Sequence, residues 1–84
     1  NNPKIIALAK EQAQILLERN KKMGKTMPKI LYRNNVNEIF LKFLGRPPSE
    51  VEREASIDFI KADDSNLAHL IQILICTGEF RNVK

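Results

Sequence analysis

The chain reads as an all-α protein, a small bundle of three to four helices. Three observations carry that reading. Apolar residues recur at helical spacing in four separate stretches, no stretch alternates apolar and polar residues as a strand does, and the breaks between stretches hold helix-stopping and helix-capping residues. The sharpest break is Leu44-Gly45-Arg46-Pro47-Pro48-Ser49-Glu50-Val51-Glu52. Gly45 suits the left-handed conformation that closes a helix. The two prolines cannot continue one. Ser49 caps the next helix, with Glu52 as its capping-box partner.

The elements follow in order. Asn2 precedes Pro3 as a cap precedes proline at a first helical position. Ile5, Leu8, Ala9, Ala13, Leu16 and Leu17 then make one stripe of an amphipathic helix over residues 3–22. Ile6 and Ile15 lie off the stripe and widen the apolar surface toward a second contact. Lys21 and Lys22 complement the negative end of the helix, and Gly24 suits its stop.

Lys25-Thr26-Met27 links to a second helix starting at Pro28, with a secure part over residues 35–44. Its face is Tyr32, Val36, Ile39, Phe40 and Phe43. A third helix is expected over 50–61, with Glu50, Glu52 and Glu54 near its positive end. Its stripe is Val51, Ala55, Phe59 and Ala62, flanked by Ile57 and Ile60. Asp63-Asp64-Ser65-Asn66 is a polar turn. The fourth helix is expected over 66–77, with Leu67, Leu70, Ile71, Leu74 and Ile75 inward. Ala68, Ile73 and Cys76 make it apolar nearly all round, so it should be the most buried element. Gly78 is expected to end it, with Phe80 folding back on the bundle.

Eighty-four residues make one domain. Residues 1–27 are its basic amphipathic helix and linker, and residues 28–84 its compact body. No apolar run approaches the roughly 18 residues of a membrane span. The start at Asn1 is compatible with a removed secretion signal. Residues 1–33 hold eight basic against two acidic side chains, net +6, while residues 34–84 hold six against eight, net −2. A basic arm on a mildly acidic body points to an acidic partner surface.

Little in the chain suits catalysis. His69 is the single histidine and Cys76 the single cysteine, so neither a zinc site nor a disulfide forms from them alone. His69 reads as a surface or structural histidine. Cys76 reads as a buried thiol acting as a small hydrophobe. Asp63 to Asn66 lacks the glycine and distant glutamate of a calcium loop. Gly24-Lys25-Thr26 matches the tail of a phosphate loop only by accident, since Arg19 stands where the upstream glycine belongs. No catalytic residue, metal or cofactor is assigned, and the chain is read as a non-enzyme.

The candidate partner-binding set is Ile5, Ile6, Leu8, Ile15, Leu16 and Tyr32 for apolar burial. Arg19, Lys21, Lys22, Lys25 and Arg33 supply electrostatic steering. The same arm allows an alternative, a small basic nucleic-acid-binding module. Tyr32 is the one aromatic near the basic residues and no helix-turn-helix signature is present, which favours a protein surface.

Residues 36–80 resemble a helical domain of unknown function near the C-terminus of planctomycete secreted proteins that often also carry cytochrome c-type domains. The resemblance lies in Phe40 through Phe43 followed by the Leu44-Gly45-Arg46-Pro47-Pro48 corner, the Ser49–Glu52 cap, Leu67 through Ile75, and the Glu79-Phe80 pair. Cys76-Thr77-Gly78 replaces the Asn-Ser-x usual in that family. The resemblance implies an extracytoplasmic setting, in the periplasm or an equivalent compartment, and a docking role. The expectation is an assembly factor or accessory subunit on a larger complex, with a multiheme c-type cytochrome oxidoreductase as the implied partner.

Overall fold

Four helices follow one another in the computed structural model, which describes the backbone of residues 2–23 and 28–82 and the side chains of residues 2–23 and 30–77. They are α1 (Pro3–Met23), α2 (Pro28–Leu44), α3 (Glu50–Ala62) and α4 (Asn66–Asn82). The segment expected as linker, Gly24 to Met27, lies outside the described residues.

Local chemistry starts each helix where the residues require it. The Asn2 side-chain oxygen accepts from the Lys4 backbone N–H at 2.8 Å, and its carbonyl accepts from Ile5 and Ile6, so Asn2 is the cap of α1. Gly45 takes φ +73° and its N–H donates to the Leu41 carbonyl at 3.1 Å, which closes α2. Ser49 caps α3 in extended backbone, with both halves of the capping box present. Between α3 and α4, the Asp63 carboxylate accepts from the Ser65 N–H at 2.9 Å. That bond holds the Asp63 carboxyl below its ordinary range. The Asn66 amide donates back to the Phe59 carbonyl at 2.9 Å and ties the two helices together.

α4 is the central element. It packs against all three other helices, most extensively against α1. The core joins Ala9, Ala13 and Leu16 of α1 to Val36, Ile39 and Phe40 of α2, Ile60 of α3, and Leu67, Leu70, Ile71 and Leu74 of α4. Alanine at two successive turns of α1 leaves room for the backbones of α1 and α4 to come close. α1 is thus a full member of the bundle.

Three expectations are corrected here. The third helix buries Ser56 and Ile60, whereas its regular stripe turns outward: Val51 is 78% exposed, and Ala55, Phe59 and Ala62 are exposed as well. The partners α2 and α4 meet α3 on the opposite side, so the face holding Ile60, with Ile57 packed beside it, is the one covered. α4 supplies more core side chains than any other helix, as the most buried element should, but it is not covered all round, since Ile73 is 55% exposed and Cys76 is exposed. Gly78 does not end α4, which runs on to Asn82. A glycine weakens a helix by about 1 kcal/mol without forbidding it, and no proline follows to force a stop. The side chain of Phe80, expected to fold back, lies outside the described side chains.

Candidate functional site

The corner after α2 holds a linked set of polar contacts. Arg46 donates from Nη1 to Glu52 Oε1 at 2.8 Å and from Nη2 to Oε2 at 2.9 Å, a two-pronged pair. Nη1 also reaches the Pro47 carbonyl at 3.1 Å. The guanidinium stands over the Phe40 ring, 5.9 Å from its centre. Glu52 accepts the Ser49 N–H at 2.8 Å as well. These donors, Arg46 first and the Ser49 amide second, hold the Glu52 carboxyl down at about 2. Pro48 is buried beside them. These hydrogen bonds hold the bend between α2 and α3.

The residues expected to bind a partner divide among five environments. Leu16 is 4% exposed and belongs to the chain's own core, which removes it from any docking face. Ile5, Ile6 and Tyr32 are half-buried, Tyr32 against that same core. Arg19 pairs with Glu38 of α2 at 2.8 Å instead of standing free. Lys25 lies outside the described residues. What remains outward on α1 is Leu8, 41% exposed, and Ile15, 52% exposed, with Lys4, Lys10, Lys21 and Lys22 exposed on the same helix. Arg33 lies elsewhere. It lines a groove of about 630 Å³ between α2 and α3, with Ile30, Arg53, Glu54, Ile57 and Asp58 among its neighbours.

A narrower groove of about 100 Å³ separates α1 from α2. Arg19–Glu38 bridges it at one end, and the Lys42 ammonium donates to the Gln12 side-chain oxygen at 2.6 Å further along. Ile15 lines this groove with its outer side still open to solvent. Arg19 is tied down by helical register: it faces α2, where Glu38 and Lys42, one turn apart, face α1. Registers across helices are not visible along a single chain, and the two expected steering cations Arg19 and Arg33 come to line different grooves of α2.

Two side chains considered for chemistry are now placed. His69 is exposed, with Nδ1 3.4 Å from the Asn66 side-chain oxygen. Cys76 is exposed, a correction to the expected buried thiol. Its helical position points away from the Leu67–Ile71–Leu74 seam. Among the described residues no three His, Cys, Asp or Glu side chains gather as a metal site would require. Also among them, no helix is long and apolar enough to cross a membrane.

No known protein family, curated protein or solved structure matches the chain.

Proposed function

We propose that this chain is a non-enzymatic protein–protein interaction module, an assembly factor or accessory subunit that docks on a larger extracytoplasmic complex through the outer edge of α1. One observation carries the reading. α1 buries Ala9, Ala13 and Leu16 on one side and still presents Leu8 and Ile15 to solvent on another, with Lys4 and Lys22, which have no ion pair among the described residues, at the same edge. Exposed aliphatic side chains with cations at the rim match the anatomy of a docking face, in which apolar burial supplies affinity and charge supplies encounter rate. Lys4 and Lys22 would steer that edge toward an acidic surface, and Lys10 and Lys21 add to the positive charge of the helix from its other side. The reading keeps Leu8, Ile15, Lys21 and Lys22 from the expected set and drops Leu16 and Arg19, which the bundle itself uses. The multiheme oxidoreductase as partner rests on the resemblance of the Gly45 corner and its flanking helices.

The test is an affinity purification from the native source with wild-type chain and with Leu8→Asp/Ile15→Asp. Both positions are exposed, so the variant should retain its helical circular dichroism. The expected result is a co-purifying complex with heme absorbance that disappears with the variant. A complex that binds the variant equally well would exclude this edge. Micromolar affinity for mixed-sequence DNA or RNA, falling steeply with salt, would favour the nucleic-acid reading instead.

A further inference from the structure

α1 and α2 both pack on α4, and the close packing of the bundle does not extend to α1 against α2. The groove left between them measures about 100 Å³. Its floor is apolar, from Ile15 and Leu16 of α1 and Ile39 and Phe43 of α2. Leu16 and Ile39 belong to the core, which fixes the floor, whereas Ile15 and Phe43 are partly open to solvent. The rim is polar, and its charges do not cancel. Glu38 is neutralised by Arg19 at 2.8 Å. Lys42 has no carboxylate partner among the described residues. Its ammonium donates to the uncharged Gln12 side-chain oxygen at 2.6 Å and lies 5.8 Å from the centre of the Phe43 ring. Glu11 and Glu18, the acids of α1, do not line the groove. The groove therefore has an apolar floor and one uncompensated cation at its rim.

We infer that this groove is the socket of the α1 docking edge, and that its occupant is a partner's helix that inserts one aliphatic side chain and offers Lys42 a carboxylate one turn away. The inference rests on the docking role proposed above and specifies what the partner must present. Size limits the knob. An apolar cavity of about 150 Å³ holds a benzene molecule, so one of about 100 Å³ takes a single four-carbon side chain. A helix laid along the seam supplies such a knob, with walls from two helices as in knobs-into-holes packing. Ile15, at the lip, is then dried by the side chains around the knob. Charge limits the rim. Exchanging the Gln12 amide for a carboxylate turns a bond to a neutral acceptor into a charge-assisted one. Residues one turn apart share a helical face, so the knob and the carboxylate reach the groove together.

The experiment titrates the full chain into labelled synthetic helical peptides, read by fluorescence anisotropy. The parent peptide carries one leucine with a glutamate one turn away. One control replaces the leucine by alanine, the other the glutamate by lysine. The expected result is micromolar binding of the parent and about tenfold weaker binding of the alanine peptide, the size of most of one buried aliphatic side chain. The lysine peptide should also bind more weakly, and Lys42→Glu should make it the tighter of the two charged forms. Gln12→Phe fills the groove from a half-buried position on α1 and should remove the leucine preference. Circular dichroism should be unchanged in both variants. No binding of the parent, equal affinity for the leucine and alanine peptides, or a leucine preference that survives Gln12→Phe would overturn the inference. Purification from the native source separates socket from edge. A complex lost with Leu8→Asp/Ile15→Asp but kept with Gln12→Phe retains the docking edge and overturns the socket, and loss with both supports it.

Discussion

Arg46 and Glu52 clasp each other across the bend between α2 and α3 through two hydrogen bonds, at 2.8 and 2.9 Å. Glu52 thereby serves two helices. It completes the cap of α3 through Ser49 and holds a residue that follows the end of α2. A capping box involves one helix alone, and here the third donor makes it a joint.

The joint is sensitive to acid. Glu52 has its carboxyl held at about 2, below the ordinary value of 4.5, by Arg46 and the Ser49 amide. A carboxyl depressed on folding stabilises the native state above its unfolded value, and that contribution is lost as pH falls toward the folded value. Stability measured by urea unfolding should therefore decline between pH 4.5 and about 2. Glu52→Gln should be less stable at neutral pH and show a flatter decline over that window. An identical slope in wild type and variant would place the acid sensitivity elsewhere.

Gly45→Ala isolates backbone strain. The residue sits at φ +73°, and a Cβ placed there meets nothing within 4 Å. The cost is then the left-handed conformation alone, about 1–2 kcal/mol. Gly45→Asn should cost less, because asparagine tolerates that region. A shift in the urea midpoint at constant slope is the measurement.

Ile71 and Val51 test which face of each helix is core. Ile71 is fully buried in the central helix, and Ile71→Ala should cost about 2–5 kcal/mol. Val51→Ala should fall within about 0.5 kcal/mol of wild type, since the side chain is mostly in water. Comparable losses at the two positions would contradict the orientation of α3.

Arg19 and Glu38 offer a modest contrast. Their side chains are 48% and 46% exposed, so a double-mutant cycle should give a coupling of about 0.2–1 kcal/mol that fades with added salt.

Cys76 should react with a thiol reagent in the native protein, at a rate near that of the urea-unfolded chain, because it is exposed on α4. Protection by folding would mean the thiol is covered.

Much of the architecture can be read along the chain. Four helices, the Asn2 and Ser49 caps, the Gly45 stop and the seam of Leu67, Leu70, Ile71 and Leu74 all follow from residues within a turn or two of each other. Such features depend on local backbone sterics and hydrogen bonding, and nearby residues specify those. Even so, the same residue type can behave differently. Gly45 ends its helix because Pro47 and Pro48 follow, and Gly78 does not, having no proline behind it.

Choices between competing apolar faces belong to another scale. On α3 both the Val51–Ala55–Phe59 side and the Ile60 side are apolar enough to be buried, and the packing of α2 and α4 selects the latter. On α1 the register against α2 ties Arg19 to Glu38, and the approach to α4 draws Leu16 inward while leaving Leu8 and Ile15 outside. Burial is a property of where neighbouring helices lie, and periodicity along one helix leaves that direction open.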